Sequence, residues 1–367
     1  MTTYQRLGDY IRPVDVRNRD LKVNLSQGIC NAKYFQNPKQ VADNPETHKV
    51  VRTGQFAYNR ATTRNGEKIS IALREGPDCT VSSAYQVFEI VDENLLHPQY
   101  LMMWFKRPEF DRLAIYYSHG SAHEFFEWDA MCDVQIPLPS ITRQREIVSE
   151  YEALANRIRL NEQMIQHLEA TAKALYRKMF VDNIDKENLP DSWRMGTLGE
   201  VADCLDYKRK PLSEDERKPM KGIYPYYGAM SVVDHINQYI FEGTYLLFSE
   251  DGVNVIDEFG HPALQYLWGK FWVNNHAHVL QGNDVVSTEY LYMALKDINA
   301  THLVTGAAQP KINQENMNSI ALVVPTKGSM DDFNKKVEHI FRLYKLKTEE
   351  NSKLTELQSL LLAKMGQ

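Results

Sequence analysis

The clearest pattern along the chain is a stripe of apolar residues at alternating four- and three-residue spacing. Positions 147, 151, 154, 158, 161, 165, 168, 172, 175 and 179 hold Ile, Tyr, Leu, Ile, Asn, Ile, Leu, Ala, Leu and Met. This is a heptad seam interrupted only by Asn161. A second seam passes through 333, 337, 340, 344, 347, 351, 354, 358, 361 and 365 as Phe, Val, Ile, Tyr, Lys, Asn, Leu, Gln, Leu and Met. Lys347, Asn351 and Gln358 make it the more polar of the two. Each seam covers 33 residues, or about 50 Å as a helix. So long and narrow a stripe is not an ordinary core face, and the expected partner of each helix is the other, packed antiparallel. With midpoints matched, Asn161 faces Asn351, a buried pair that costs stability and fixes register.

Elsewhere the pattern is that of strands. Lys68–Leu73, Thr80–Val91 and Thr244–Ser249 are β-rich runs bounded by Gly, Asn and Asp. Pro137 and Pro139 end the last strand of the first half and free the chain to begin a helix. The phrases recur in the same order. Tyr100–Met103 returns as Tyr290–Met293, Gly120-Ser121-Ala122 as Gly306-Ala307-Ala308, and Leu7-Gly8-Asp9 as Leu198-Gly199-Glu200. Ile136–Pro139 returns loosely as Val323-Val324-Pro325, and Leu168–Met179 as Leu354–Met365. The offsets run from 186 to 191, a domain-sized repeat rather than a solenoid.

The expected fold class is therefore α+β: two β-rich domains separated by a pair of long antiparallel coiled-coil helices, with a pseudo-two-fold internal repeat. The expected boundaries are residues 1–139 for the first domain, 140–183 for the first helix, 184–325 for a linker and second domain, and 326–367 for the second helix. Such a pair would act as a ruler with a reading head at each end.

Composition sharpens this. A length of 367 residues suits two or three domains, and 43% hydrophobic content suffices for real cores. The net charge of -6 argues against a nucleic-acid binder, but the charge is uneven. Residues 1–80 carry 13 Lys/Arg against 8 Asp/Glu, whereas residues 184–325 carry 11 against 19. A local basic face is what attracts phosphates. Cys30, Cys79, Cys132 and Cys204 form no paired motif, which fits a reducing cytoplasm. The first residues, Met1–Asp9, are polar and no apolar run is long enough to span a bilayer, so no membrane association is expected.

Catalytic signatures are missing. There is no phosphate-binding Walker loop, no dinucleotide fingerprint, no nucleophile elbow and no amino-methyltransferase tetrapeptide; Asn37-Pro38 and Asn44-Pro45 lack the second proline. The acidic run Glu214–Lys218 reads as a solvated loop. His276 and His278 lack a third metal ligand at a telling spacing. No catalytic residue, metal site or cofactor is assigned to this chain.

Candidate DNA contacts come from residue type. Arg52–Lys68 (RTGQFAYNRATTRNGEK) combines Arg52, Arg60, Arg64 and Lys68 with Tyr58, Asn59, Thr62 and Asn65. Arg, Asn and Thr read base edges and clamp phosphates. In the second half the candidates are Lys208, Arg209 and Lys210 in DYKRK, Tyr227 in YPYY, Asn274 and Asn275 in WVNNHAH, and Gln309 and Lys311 after the repeated Gly-Ala-Ala.

The chain resembles the specificity subunit of Type I restriction-modification systems. The carriers are the duplicated architecture, Gly54–Arg60, Ser82–Tyr85, Gly120-Ser121 leading to Ile136–Pro139, Arg143–Val148 at the helix start, Leu198–Val201, and Gly306–Ile312 (GAAQPKI). The resemblance implies that each domain reads one half of a split target in double-stranded DNA. It implies that the helices set the unread spacing and dock two methyltransferase subunits that modify adenine, and that restriction subunits join the assembly. S-adenosylmethionine, ATP and magnesium belong to those partners. The alternatives are a recognition subunit of a Type II-like or other DNA-modification system and, in a different class, a dumbbell adaptor that binds proteins.

Overall fold

In a computed structural model, residues 4–38, 44–61, 68–118, 125–182, 184–185, 187–252, 255–306 and 309–366 are described. The chain divides into two compact units, Met1–Asn161 with Glu350–Gln367, and Glu162–Glu349.

The first unit contains strands β1 (Tyr4–Arg6), β2 (Ile11–Val14), β3 (Gly28–Ile29), β4 (Phe35–Gln36), β5 (Lys49–Val51), β6 (Phe56–Asn59), β7 (Ile71–Leu73), β8 (Cys79–Val81), β9 (Tyr85–Ile90) and β10 (Gln135–Pro137). Its helices are α1 (Pro98–Phe105), α2 (Pro108–Ser118), α3 (Trp128–Asp133) and the start of α4 (Ile141–Phe180). The main sheet is antiparallel in the order β2-β9-β6-β7. Its side chains alternate as a pleat requires. Phe56, Tyr58, Ile71 and Phe88 point to the face covered by α1, while Ala57, Ala72 and Val87 join a second, smaller core. Both faces are buried, so β6 reads as an unbroken apolar run. Helix α1 begins with Pro98 and is capped by His97, whose Nδ1 accepts from the Gln99 amide at 3.2 Å. All of Tyr100–Phe105 is buried. Pro137 ends β10, and α4 starts four residues later.

The second unit contains β11 (Arg194–Thr197), β12 (Ala202–Cys204), β13 (Lys221–Tyr227), β14 (Val232–Ile236), β15 (Phe241–Ser249), β16 (Leu264–Val273), β17 (Ala277–Gly282) and β18 (Ala321–Val324). Its helices are α5 (Leu198–Val201), α6 (Glu214–Arg217), α7 (Thr288–Leu295), α8 (Gln314–Asn318) and most of α9 (Lys327–Lys364). A six-stranded sheet runs β12-β17-β15-β16-β13-β14, antiparallel except where β13 meets β16. Leu246, Phe248, Tyr266 and Leu280 face the helices, and Tyr245, Leu247, Phe271 and Val279 face a separate core.

Parts of α4 and α9 pack antiparallel within each unit. In the first, Val148 is buried with Met365, and Arg157 meets Glu350 at 2.6 Å. Asn161 Nδ2 donates to Asn351 Oδ1 at 2.9 Å, and Asn351 Nδ2 donates to the Ile158 carbonyl at 3.3 Å. In the second, Phe180 packs on Phe333 with ring centroids 5.4 Å apart, and Ala172 shares a core with Val337 and Phe341. Val148, Phe180 and Phe341 lie off the seam positions yet are buried, because these turns also cover a globular core. Among the described residues no helix is long and apolar enough to cross a membrane.

Candidate nucleic-acid interface

The six-stranded sheet of the second unit gathers its loops at one edge. β12 and β15 end there, and β16 and β17 begin there, as the pairings Cys204–Leu280, Ser249–Ala277 and Phe248–Leu264 require. Three segments meet at this edge: Leu205–Lys210 with its 3-10 turn, Asn274–His276, and Lys311-Ile312, where Lys311 bridges to Asp251 and Thr305. Asn274 makes its turn tight, since its Oδ1 accepts from the His276 amide at 2.8 Å.

A buried charge network ties these segments together. Arg209 donates to Glu250 Oε2 at 2.7 Å and to the Ala277 carbonyl at 2.8 Å, and lies 3.0 Å from Asp206 Oδ2. Lys311 Nζ reaches Glu250 Oε1 at 2.7 Å. His278 is 1% exposed and places Nδ1 at 2.6 Å from Asp206 and Nε2 at 2.9 Å from the Ile312 carbonyl. Asp206 Oδ1 accepts from the Val279 amide at 2.9 Å. Burial pushes the Glu250 carboxyl up, but hydrogen bonds from Lys311 and Arg209 outweigh it and hold the group below its ordinary range. Burial likewise opposes ionisation of Asp206, and His278, the Val279 amide and Arg209 reverse the balance.

Several residues expected to contact DNA have partners within the fold. Arg209 is not a free phosphate clamp; its guanidinium is spent on two carboxylates and a carbonyl. Lys311 is paired with Glu250. Asn274 is 9% exposed and serves its turn. Tyr227 packs edge-on against Phe271 at 5.8 Å. Exposed around this frame are Lys208, Lys210, Asn275 and Gln309. Sequence reasoning passed over Tyr207, which is 77% exposed with Lys208 Nζ lying 5.7 Å from its ring. Its position inside DYKRK was the available signal.

The same frame contains a group of possible metal donors. Donor atoms of Cys204, Asp206 and His278 lie within 4.8 Å of one another. Both ring nitrogens of His278 and both oxygens of Asp206 are already engaged, and Arg209 supplies the cation. His276 pairs with Asp251 at 2.8 Å instead of joining His278. The acidic run at 214–218 forms a short exposed helix capped by Ser213, with Arg217 turned to Asp234 at 3.1 Å.

In the first unit, Arg52–Lys68 is only partly a loop. Tyr58 lies on β6, is 0% exposed and packs against Phe88 and Phe126, so it is a core residue and not a DNA contact. Its hydroxyl has no hydrogen-bond partner among the described residues. Burial pushes this phenol far above its ordinary value. Asn59 turns its Oδ1 to the Ala61 amide at 3.1 Å. Arg60 is half-exposed, 3.4 Å from Glu127 and 5.3 Å from the Phe125 ring centroid. Arg52 and Lys68 are exposed. Thr62, Arg64 and Asn65 lie outside the described residues.

A β-rich domain with an exposed polar edge, joined to a long helix, is the part of this chain that is similar to a known family. Residues 190–358 match the family model for the Type I restriction modification DNA specificity domain. A protein of Haemophilus influenzae named as a type I restriction enzyme specificity subunit is 32% identical over 128 residues. That match takes in 35% of this chain and 32% of the relative, so it spans about a third of the relative's length. The HindI specificity subunit of the same species is 22% identical over 424 aligned positions, covering 92% of this chain and 91% of that one. The crystal structure of a Type-I restriction-modification system S subunit from M. genitalium has the same fold, with a TM-score of 0.59 at 15% identity over 100% of this chain and 96% of the other.

Proposed function

We propose that this chain is the DNA-reading, non-catalytic component of a Type I restriction-modification assembly in the cytoplasm. Each β-rich domain reads one half of a bipartite duplex target. Two methyltransferase subunits dock on the chain, and restriction subunits complete the complex. S-adenosylmethionine, ATP and magnesium act in those partners. The observation that carries this reading is the edge of the six-stranded sheet, where a rigid internal network presents Tyr207, Lys208, Lys210, Asn275 and Gln309 to solvent. Positions that read bases need such a preorganised mount. Leu160, Leu357 and Leu360 of the first unit are each at least half exposed, apolar surface on the long helices that a docked subunit would cover. We also assign the Asn161–Asn351 pair the task of fixing helix register, since a mis-registered pair strands two amides among apolar groups.

The test is a domain exchange. Residues 193–325 are replaced by the equivalent domain of a homologue, and the methylated target is read by methylome sequencing. The expected result changes one half-site and keeps the other. A change in both half-sites, or in neither, contradicts the reading.

A further inference from the structure

The loop edge of the second unit has a counterpart in the first, built on the same backbone contacts. Tyr85 opens β9 opposite Asn59 as Ala277 opens β17 opposite Ser249. The Phe126 amide donates to the Arg60 carbonyl at 2.8 Å, and the Ile312 amide to the Glu250 carbonyl at 2.9 Å. Ala61 bridges to Phe125 as Asp251 bridges to Lys311. Before the strand opens, each unit makes the same side-chain-capped turn. Ser82 Oγ accepts from the Ala84 amide at 3.4 Å, and Asn274 Oδ1 from the His276 amide at 2.8 Å. By these contacts Asp251 stands where the first unit has Ala61, and His276 where it has Ala84. The two residues after the capping side chain are exposed in both units, Ser83-Ala84 in one and Asn275-His276 in the other.

The turn is common to both units, and the side chains it presents are not. In the second unit it is held from several sides. The Glu250 amide donates to the His276 carbonyl at 2.9 Å, and Arg209 donates to the Asn275 carbonyl at 3.5 Å. The His276 side chain is 48% exposed, and that of Asp251 17%. Nδ1 of His276 lies 2.8 and 3.1 Å from the two carboxylate oxygens of Asp251. A carboxylate accepts, so Nδ1 carries the proton. Nε2 has no hydrogen-bond partner among the described residues. The ring is thus oriented before any ligand arrives, and its free nitrogen is an acceptor. The first unit closes the same edge with alanine at both positions, so the fold does not require the pair. What Asp251 and His276 add is one hydrogen-bonding atom at an exposed position of a rigid turn.

We propose that His276 is a specificity-determining residue of the second domain. Its Nε2 accepts a hydrogen bond from an exocyclic amino group of adenine or cytosine in the major groove of the second half-site, and Asp251 is the positioning residue that sets the ring. Facing one strand, an acceptor favours the N6 amino group of adenine or the N4 amino group of cytosine and is repelled by the carbonyl of guanine or thymine. The inference rests on the reading of the chain as a DNA specificity subunit.

The experiment uses the full chain co-expressed with its methyltransferase partner. Methylome sequencing reads the target, and binding of the purified complex to duplexes is followed against salt. The variants are His276→Ala, Asp251→Ala and the two combined. The first unit has alanine at both places, so all three are expected to melt with the parent. His276→Ala is expected to lose about tenfold in preference at one position of the second half-site, with the first half-site kept. Asp251→Ala is expected to relax the same position. The combined variant is expected to be no worse than His276→Ala, because Asp251 acts only through the ring. Weaker binding to every duplex with a flatter salt dependence, and no relaxed position, makes Nε2 a phosphate contact and overturns the inference. Loss of the fold in the combined variant makes the pair structural and overturns it too. An unchanged target in all three variants overturns it and leaves the specificity-subunit reading standing. Relaxation in both half-sites, or a parent complex that methylates no bipartite target, overturns both.

Discussion

The two segments chosen from sequence as DNA hands end in opposite situations. In the second unit, Arg209 turns inward between Asp206 and Glu250, whose side chains are only 10% and 12% exposed, while Lys311 pairs with Glu250 from the surface. In the first unit, Arg60 stays near the surface, with one loose contact to Glu127 and a ring beneath it. A basic residue beside acidic neighbours in the fold becomes part of the internal network, and its sequence neighbours Lys208 and Lys210 stay exposed. The difference follows from local charge. Residues 184–325 hold more carboxylates than cations, so some cations are drawn into internal pairs, whereas residues 1–80 have cations in excess.

The largest expected effect strikes the network. Glu250→Ala leaves Arg209 with Asp206 alone and Lys311 with no carboxylate partner among the described residues, and removing one partner of a buried pair costs at most about 3–5 kcal/mol. Denaturant unfolding of the full chain measures it. A loss below about 1 kcal/mol would mean that the network does not hold this edge. Arg60→Ala, by contrast, is expected to cost less than about 1 kcal/mol, as surface pairs do.

Acid sharpens the same contrast. Glu250 and Asp206 are both held below their ordinary values in the fold. A depressed carboxylate contributes stability that is fully present above its unfolded pKa, about 4.3 for Glu and 3.9 for Asp. That contribution is lost as pH falls through the folded value. The second unit is expected to lose stability below about pH 4. The Glu250→Gln chain is expected to show a shallower slope over that window in pH-dependent unfolding. Equal slopes would remove Glu250 from the account.

Tyr58→Phe is a smaller test in the first unit. It deletes a buried hydroxyl that has no partner, and such a group costs about 1–3 kcal/mol when left unsatisfied. The variant is expected to be as stable as the parent or more stable, with its methylated target unchanged. A changed half-site would return Tyr58 to the reading surface.

The smallest effects on stability are expected at Tyr207→Ala and Lys208→Ala, both exposed, within about 0.5 kcal/mol. Their effect is on DNA. Loss of Lys208 weakens binding to all sequences and flattens its salt dependence, while loss of a base contact relaxes one position of the target. Unaltered methylation in both variants would leave this edge as ordinary surface.

The long helices, the repeat and the β-rich halves were legible in the chain because each rests on periodicity, and periodicity reports which side of an element meets other residues. The same holds for Asn161 and Asn351, whose seam positions place them opposite one another. The contacts were much less legible. Residue type marked Tyr58, Arg209, Asn274 and Lys311 as candidates, but it does not say where Glu250, Asp206 or Phe88 will sit. Glu250 lies 41 residues from Arg209 and 61 from Lys311, and only strand pairing brings the three together. Sequence alone thus determined the elements and the order in which they repeat. Tertiary structure decided which charges are consumed inside the fold and which remain for a partner, because ion pairing depends on distance in space rather than separation along the chain.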